Sequence, residues 1–453
     1  MDLVIRNGTV VTADGVAHAD VGIEGGVVVA LGRGLPTGDR EIDATGRYVF
    51  PGGIDAHTHL GRHRPIEGVD DFLSGTRAAA AGGITTVLDY VVHPRGTSLA
   101  TQVARWSQQV EEQAIIDVGL HPVIGEPRPD VLDDLPALVQ AGHTSFKFFM
   151  NRNFDSAIPE FLAALRRVGE LGALACVHAE DESLIRHLTE RLLAAGRGDV
   201  RAFPDSRPDY SEAVAVGRAV AYAQATETPI YLVHLSSRAA LEVVDAARDR
   251  DLPVYAETRP IYLYLTRARF EEPEANKYVG YPPLREPGDQ DALWGALRRG
   301  LVQVVATDHV GYTLAHKTAP GLTVATIPAG MANLETMLPM LYSEGVARGR
   351  LSLSRFVEMI ATNPARMFGL FPRKGTIAVG SDADLVVFDP NRRVTVQAAA
   401  QQSQADFDVY EGWEVQGWPE VTISRGEVVF ANGVVVGQPG RGRVLARQPF
   451  QGG

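Results

Sequence analysis

The 453-residue chain contains one cysteine and lacks a long apolar run. Cys176 lies in the stretch ALACVH and has no second cysteine to pair with, which excludes an internal disulfide and predicts a small buried side chain. No window approaches the roughly 18 consecutive apolar residues of a membrane span, and the opening MDLVIRNGTV is typical of a strand rather than of an export leader. We therefore expect a cytoplasmic protein with no membrane partner.

The chain also lacks an excess of positive charge, because its formal net charge is -12. A general nucleic-acid binder would need the opposite balance. The length allows one large domain of about 250 residues and a smaller one, with a core large enough to enclose a site. These features favour an enzyme that acts on small molecules.

Both ends of the chain have the same strand-rich texture. Residues 1–50 contain short valine- and glycine-rich runs such as LVIRNGTVV, and the texture returns over residues 372–440 in KGTIAVGSDADLVVFD and VTISRGEVVFANGVVV. We predict that the two segments form one small β-sandwich domain, followed by a tail over residues 441–453.

Between these ends, residues 51–371 alternate short apolar runs with helical segments. Eight such runs occur in order: GGIDAHTH, ITTVLDY, IDVGLHPVI, SFKFFM, ALACVHAE, PIYLVHLSS, PVYAETRP and VQVVATDH. Eight parallel strands with intervening helices predict an α/β fold of the (β/α)8 TIM-barrel type.

Polar residues close five of these runs, where barrel active sites lie. They are His57, His59, Lys147, His178, His234 and Asp308. Positions i and i+2 of a strand point to one face, so the first two histidines can reach one ion. Imidazoles and a carboxylate suit zinc and similar divalent ions, and this set is larger than one tetrahedral catalytic site needs. The set therefore favours two ions.

Most of the remaining histidines are interpreted as structural residues. A lone histidine is more often a satisfied polar residue than a ligand, and we interpret six that way: His18, His93, His121, His143, His187 and His316. His309, next to Asp308, either orients the site or simply packs.

Lys147 is the unexpected member, because an ammonium with an ordinary pKa of about 10.4 would repel two dications. The motifs PGGIDAHTHL, SFKFFM, VHAE, VHLSS, ATDH, PPLRE and FPRKGTIAVGSDADLVVFDP resemble the dihydropyrimidinase/hydantoinase branch of the cyclic amidohydrolases. The resemblance covers nearly the whole chain. It implies that carbon dioxide converts Lys147 to a carbamate, an anion that bridges the two ions.

The resemblance also implies the ligand sets, the reaction and the assembly. His57, His59 and Asp308 would hold the first ion, and His178 and His234 the second. Zinc is expected first, with manganese or cobalt as alternatives. A hydroxide shared by the ions would open a cyclic amide, imide or ureide, with Asp308 carrying the proton. A homotetramer or homodimer is expected, with the tail QPGRGRVLARQPFQGG reaching a neighbouring subunit.

The chain departs from that branch at the substrate contacts. Arg152 stands where a tyrosine helps to hold the oxyanion, Tyr281 replaces a serine, Ala329 replaces an asparagine, and Arg259 replaces a cysteine. The loop after the first barrel strand carries three further substrate-binding candidates: Arg62, His63 and Arg64. We hypothesise that some of these cations bind a substrate carboxylate or another anion.

Two other interpretations stay open at this point. A mononuclear deaminase on the same barrel would keep the paired histidines and the aspartate but would not need Lys147. A non-catalytic scaffold relative would have lost metal ligands.

Overall fold

The fold is taken from a computed structural model that describes residues 1–61 and 68–452. The terminal strands before the barrel are β1 (Leu3–Thr12), β2 (Gly15–Glu24), β3 (Val27–Gly32), β4 (Arg40–Asp43) and β5 (Tyr48–Pro51). Eight barrel strands follow: β6 (Gly53–Thr58), β7 (Ile84–Val91), β8 (Asp117–Pro122), β9 (Ser145–Phe149), β10 (Leu174–His178), β11 (Ile230–Leu232), β12 (Val254–Thr258) and β13 (Val304–Val305). The last strands are β14 (Leu385–Thr395), β15 (Glu414–Ser424), β16 (Glu427–Ala431) and β17 (Val434–Val435).

The α-helices lie mostly between barrel strands. They are α1 (Phe72–Ala81), α2 (Leu99–Gln113), α3 (Pro129–Gln140), α4 (Ile158–Glu170), α5 (Glu182–Ala194), α6 (Phe203–Ser206), α7 (Asp209–Thr226), α8 (Arg238–Arg248), α9 (Pro260–Tyr264), α10 (Pro287–Arg299), α11 (Leu314–Lys317), α12 (Met337–Leu341), α13 (Leu353–Val357) and α14 (Asn363–Met367). Short 3₁₀ segments span Val200–Ala202, Arg267–Glu271, Ala275–Tyr278 and Ala398–Ala400, and π-helical turns span Tyr342–Val346 and Glu358–Thr362. Within the described ranges, none of these helices is long and apolar enough to cross a bilayer.

The barrel consists of two parallel sheets that meet at both edges. One sheet runs β6-β7-β8 and the other β9 to β13 in sequence order. A parallel bridge between Val123 and Lys147 joins the sheets on one side, and a bridge between Thr58 and His309 joins them on the other. The predicted (β/α)8 barrel is confirmed, and each of the eight apolar runs supplies one strand.

Both chain ends build the β-rich terminal domain. Its nine strands form one sheet in the order β17-β16-β15-β14-β5-β1-β2-β3, with β4 beside β1. Val28 N donates to Ser381 O at 2.9 Å and Ala383 N to Gly26 O at 2.8 Å, so the β2–β3 turn lies against the segment before β14. Ile23, Val28, Leu385 and Ile423 are buried in one cluster, so residues from both ends share one core.

A lysine connects this domain to the barrel. Lys374 Nζ lies 2.9 Å from Asp117 at the start of β8, 2.5 Å from Asp384 and 3.1 Å from Asp382. Lys374, Asp117 and Asp384 are nearly inaccessible to solvent. The three carboxylates therefore surround a buried ammonium at the junction.

The C-terminal tail lies against its own chain. Residues 442–450 make backbone hydrogen bonds to Ala114, Val118, Gly142, Gly172 and Gly369. Leu445, which is 6% exposed, packs into the apolar barrel interior and anchors the tail to its own barrel. Contact of this tail with a neighbouring subunit, which the resemblance implies, stays a prediction.

Candidate metal centre

The paired histidines after the first run lie at the carboxyl end of β6. His57 is the fifth residue of that strand and His59 follows its end. Asp308 Oδ1 lies 3.1 Å from His57 Nε2 and 3.0 Å from His59 Nε2. The potential ligand atoms of the three residues all lie within 4.8 Å of one another. This geometry suits one divalent ion.

The other two histidines complete a continuous row of imidazoles. The ring centroid of His234 lies 5.4 Å from that of His57 and 4.5 Å from that of His178. His234 and Asp308 both have left-handed backbone conformations, with φ of 44° and 51°. Non-glycine residues rarely adopt this conformation, and it concentrates at functional sites.

Lys147 lies within β9, and its side chain is fully buried. Its Nζ has no hydrogen-bond partner among the described residues, although it lies 4.6 Å from the centre of the Tyr90 ring and 5.1 Å from that of Phe149. Burial lowers the pKa of Lys147 to about 8. A substantial fraction of the amine is therefore neutral near physiological pH, and the neutral amine is the form that reacts with carbon dioxide. The residue fits the proposed carbamate.

Buried carboxylates fix the proton on two of the histidines. His57 Nδ1 lies 2.8 Å from Glu257 Oε1, and His178 Nε2 lies 2.7 Å from Glu180 Oε2. A carboxylate only accepts, so each named nitrogen carries a proton, and the other nitrogen of each ring is the one that would hold an ion. Burial lowers the pKa of His178 to about 4 and that of His234 well below its usual value, so both rings are neutral.

Glu257 was missed by the sequence reasoning. Besides His57, its carboxylate accepts from the backbone N–H of His234 at 3.1 Å and from the hydroxyl of Tyr231 at 2.9 Å. One carboxylate thereby orients a candidate ligand from each proposed ion site. Its position at the end of a barrel strand, in the run PVYAETRP, is the sequence signal that could have identified it as a site residue.

Arg259 lies in an unexpected place. Its side chain is fully buried, with Nη1 3.0 Å from Asp308 Oδ2 and Nε donating to Thr307 O at 2.9 Å. Burial alone would raise the pKa of Asp308, but the charges of Arg259 and His57 hold that pKa well below its usual range. Asp308 is therefore ionised, with Oδ1 toward the histidines and Oδ2 toward the arginine.

His309 points away from this cluster. Its Nε2 lies 2.9 Å from Asp70 Oδ2, and its Nδ1 accepts from Asn333 N at 3.1 Å. Asp70 also accepts from the Ser403 hydroxyl and from Gln404 N, so this histidine is hydrogen-bonded within a buried network beside Asp308.

The six candidate ligands open onto a cavity of about 400 Å³. Arg152, Tyr281 and Ala329 line the same cavity, so three of the four departures reach the space where a substrate would lie. A side cavity of about 160 Å³ adjoins it, and Val92, Phe149 and Arg152 line both. Arg62, His63 and Arg64 lie outside the described residues.

The Tyr281 ring packs against the guanidinium of an ion pair. The Arg207 guanidinium lies 3.7 Å from the centre of its ring, and Arg207 Nη1 lies 2.8 Å from Glu180 Oε2. Because Glu180 also binds His178, the wall formed by Tyr281 is connected to a candidate metal ligand.

The fold and these residues define a barrel hydrolase with a metal centre. Residues 48–429 match the amidohydrolase family, and the chain belongs to the hydantoinase/dihydropyrimidinase branch of that family. A D-hydantoinase of Ralstonia pickettii is 41% identical over the full length of both chains. A D-phenylhydantoinase of Escherichia coli is 40% identical over 99% of each chain.

Solved structures agree with this membership. The crystal structure of dihydropyrimidinase from Brevibacillus agri NCHU1002 is 40% identical, covers 100% of both chains and superposes with a TM-score of 0.96. Membership of the family implies a binuclear metal centre. The buried Lys147 amine, which has no hydrogen-bond partner in the part of the chain that the structure describes, and the oriented histidines fit such a centre.

Proposed function

We propose that this protein hydrolyses a ring C–N bond of a cyclic amide, imide or ureide. The observation that carries the proposal is the convergence of four histidines, a buried unpaired lysine and an ionised aspartate on one cavity of about 400 Å³. Close relatives named D-hydantoinase and D-phenylhydantoinase support the reaction class.

We assign the first ion to His57, His59 and Asp308 and the second to His178 and His234, with carboxylated Lys147 shared between them. Zinc is the proposed metal, with manganese or cobalt as alternatives. Bound divalent ions would supply Lewis acidity, which polarises a carbonyl and makes water acidic.

The chain's own residues contribute binding and proton transfer. Asp308 is ionised and lies at the cavity, so its carboxylate is placed to accept a proton from water and return it to the leaving ring nitrogen. Tyr281 and Ala329 shape the wall against the substrate ring. Val92 and Phe149 give the adjoining side cavity apolar surface where a ring substituent would lie.

Arg152 is the residue that we propose sets the substrate class. It lies at the junction of the two cavities, where a guanidinium can donate to a planar oxyanion. We propose that it binds a carboxylate on the substrate or donates to the carbonyl oxygen as charge develops there. Arg62, His63 and Arg64 are proposed to add positive charge at the same end of the barrel.

The substrate proposal is tested by comparing cyclic amides, imides and ureides that carry a carboxylate with matched compounds that lack it. Arg152→Met should reduce kcat/KM for the best carboxylated compound on the order of 100-fold. Arg105→Met, on the exposed face of α2, is the control and should change nothing. Preferred turnover of neutral hydantoins or dihydrouracil, unaffected by Arg152→Met, would refute the role of Arg152.

Metal analysis separates this function from its alternatives. About two ions per chain is expected for the binuclear hydrolase. A content near one would favour the mononuclear deaminase, and a content near zero would favour the scaffold. We further propose a homotetramer or homodimer, which light scattering would detect as a mass of four or two times the chain mass of 48.8 kDa.

A further inference from the structure

The C-terminal tail crosses the end of the barrel opposite the cavity. Leu445 N donates to Val118 O at 2.9 Å, and Val118 N donates to Arg443 O at 2.9 Å, next to the first residue of β8. Two residues after Leu445, Arg447 N donates to Gly142 O at 3.0 Å, just before β9 begins. These bonds make the tail the floor of the barrel.

Arg447 sends its side chain from this floor into the barrel. The residue is 3% exposed, with Nη1 donating to Ser145 Oγ at 2.7 Å and Nη2 to Leu120 O at 2.6 Å. Within the described ranges it forms no ion pair with a carboxylate, and burial lowers its pKa to about 10. A buried cation held only by neutral acceptors is costly, so its presence calls for a role other than net stabilisation.

A column of side chains leads from Arg447 toward the candidate metal centre. Ser145 Oγ lies 2.6 Å from His121 Nδ1, and the His121 ring stacks on Tyr90 with centroids 4.7 Å apart. The Tyr90 ring in turn contacts His57 at 4.6 Å between centroids and lies 4.6 Å below Lys147 Nζ. Five contacts therefore join the tail to two candidate metal ligands.

The hydrogen bonds in this column have a defined direction. A guanidinium can only donate, so Ser145 accepts from Arg447 and directs its own hydroxyl proton to His121 Nδ1. His121 is then neutral with its proton on Nε2, and burial, reinforced by the charge of Arg447, places its pKa well below the usual value. Because His121 is neutral, the column holds Tyr90 in place and Arg447 remains its one cation.

We propose that Arg447 is a positioning residue for the metal centre and acts through Ser145, His121 and Tyr90 on His57 and Lys147. The inference rests on the proposed function, because it assumes that those two residues hold ions. It assigns to the tail a part in catalysis within its own chain.

The test uses the full-length protein loaded with cobalt, whose visible absorption reports ligand geometry. We expect Arg447→Met to change that spectrum and to lower kcat on the order of 10-fold, with little change in KM, as for partners that orient metal ligands. Arg447→Lys, which keeps the positive charge, should retain part of the parental cobalt spectrum and part of the parental kcat. Arg443→Met, on the exposed part of the same tail, is the matched control and should behave as the parent.

Ser145→Ala interrupts the same column one step higher and serves if Arg447→Met fails to fold. Because Arg447 and Ser145 act through one column, the double variant Arg447→Met/Ser145→Ala should have a kcat no lower than that of the more affected single variant. A parental cobalt spectrum and kcat in Arg447→Met, or in Ser145→Ala when that variant replaces it, would overturn the inference. A loss of activity that appears only together with a smaller mass in solution would also overturn it. A parent that binds no cobalt would instead refute the proposed function itself.

Discussion

Arg259 and Asp308 form a buried ion pair, with Nη1 3.0 Å from Oδ2, at the position where Asp308 also faces two histidines through Oδ1. The two carboxylate oxygens therefore have different partners. Arg259 is itself fixed, because its Nε donates to Thr307 O. The pair holds one orientation of Asp308 before any ion binds.

Replacement of this arginine should be costly in the metal-free protein. Arg259→Met leaves a buried carboxylate without its partner, and such losses destabilise by roughly 3–5 kcal/mol. We expect a smaller loss in the metal-loaded protein, because ions beside Asp308 would offset its charge. Urea unfolding of both forms measures the difference, with Arg393→Met as control because its pair with Glu414 is exposed and worth about 0–1 kcal/mol. Equal losses with and without metal would contradict the prediction.

Lys147→Ala and Asp308→Ala should each abolish hydrolysis and leave the fold largely intact. The lysine variant removes the anion that offsets two dications, so its metal content should fall, and added short carboxylic acids should restore some activity. Lys147→Arg keeps a positive charge but cannot form the carbamate, and it should be equally inactive. Activity within a few-fold of the parent in any of these variants would reject the assignment of that residue.

Glu335 should make the protein less stable as pH rises. It is 7% exposed, it accepts from Gln402 N at 2.8 Å, and burial raises its pKa to about 8. A carboxyl with a raised folded-state pKa favours folding below the unfolded value of about 4.3 and loses that contribution as pH rises toward 8. Glu335→Gln keeps the acceptor without the charge. Relative to the parent, this variant should gain about 4 kcal/mol in unfolding free energy between pH 5 and pH 9.

The control for that titration is Glu190→Gln, which removes the same charge at an exposed position of α5. Urea unfolding at several pH values should show parallel curves for Glu190→Gln and the parent. A curve for Glu335→Gln that also runs parallel to the parent would show that Glu335 is not protonated in the folded state.

Lys374→Met should destabilise the junction between the barrel and the terminal domain. Without the ammonium, Asp117, Asp382 and Asp384 would lie close together, largely out of water, leaving Arg425 as the remaining cation paired with Asp117. We expect a loss of about 3–5 kcal/mol, measured by urea unfolding, with unchanged kcat per folded molecule. Lys277→Met, at a partly exposed lysine, should cost far less, and similar losses in both would refute the role of the junction.

The sequence predicted the barrel well, because each apolar run forms its strand and strand ends meet at one face. The same rule brought His57, His59, Lys147, His178, His234 and Asp308 to one cavity. It did not identify Glu257, Tyr90 or His121 as their neighbours, since those contacts depend on how side chains pack inside the barrel. Nor did it place the tail, whose glycine and arginine content conceals the apolar Leu445 that enters the interior.

The terminal sheet has a consequence for how the protein is made. β5 pairs directly with β14, and Tyr48 lies opposite Phe388 although 339 residues separate them along the chain. On the ribosome, β5 has no partner on that edge until nearly the whole chain has been translated. The barrel strands are all complete before then, so the order of synthesis favours pairing of the barrel strands before the terminal sheet closes. Until β14 emerges, the unpaired edge of β5 needs protection from strand pairing with other molecules.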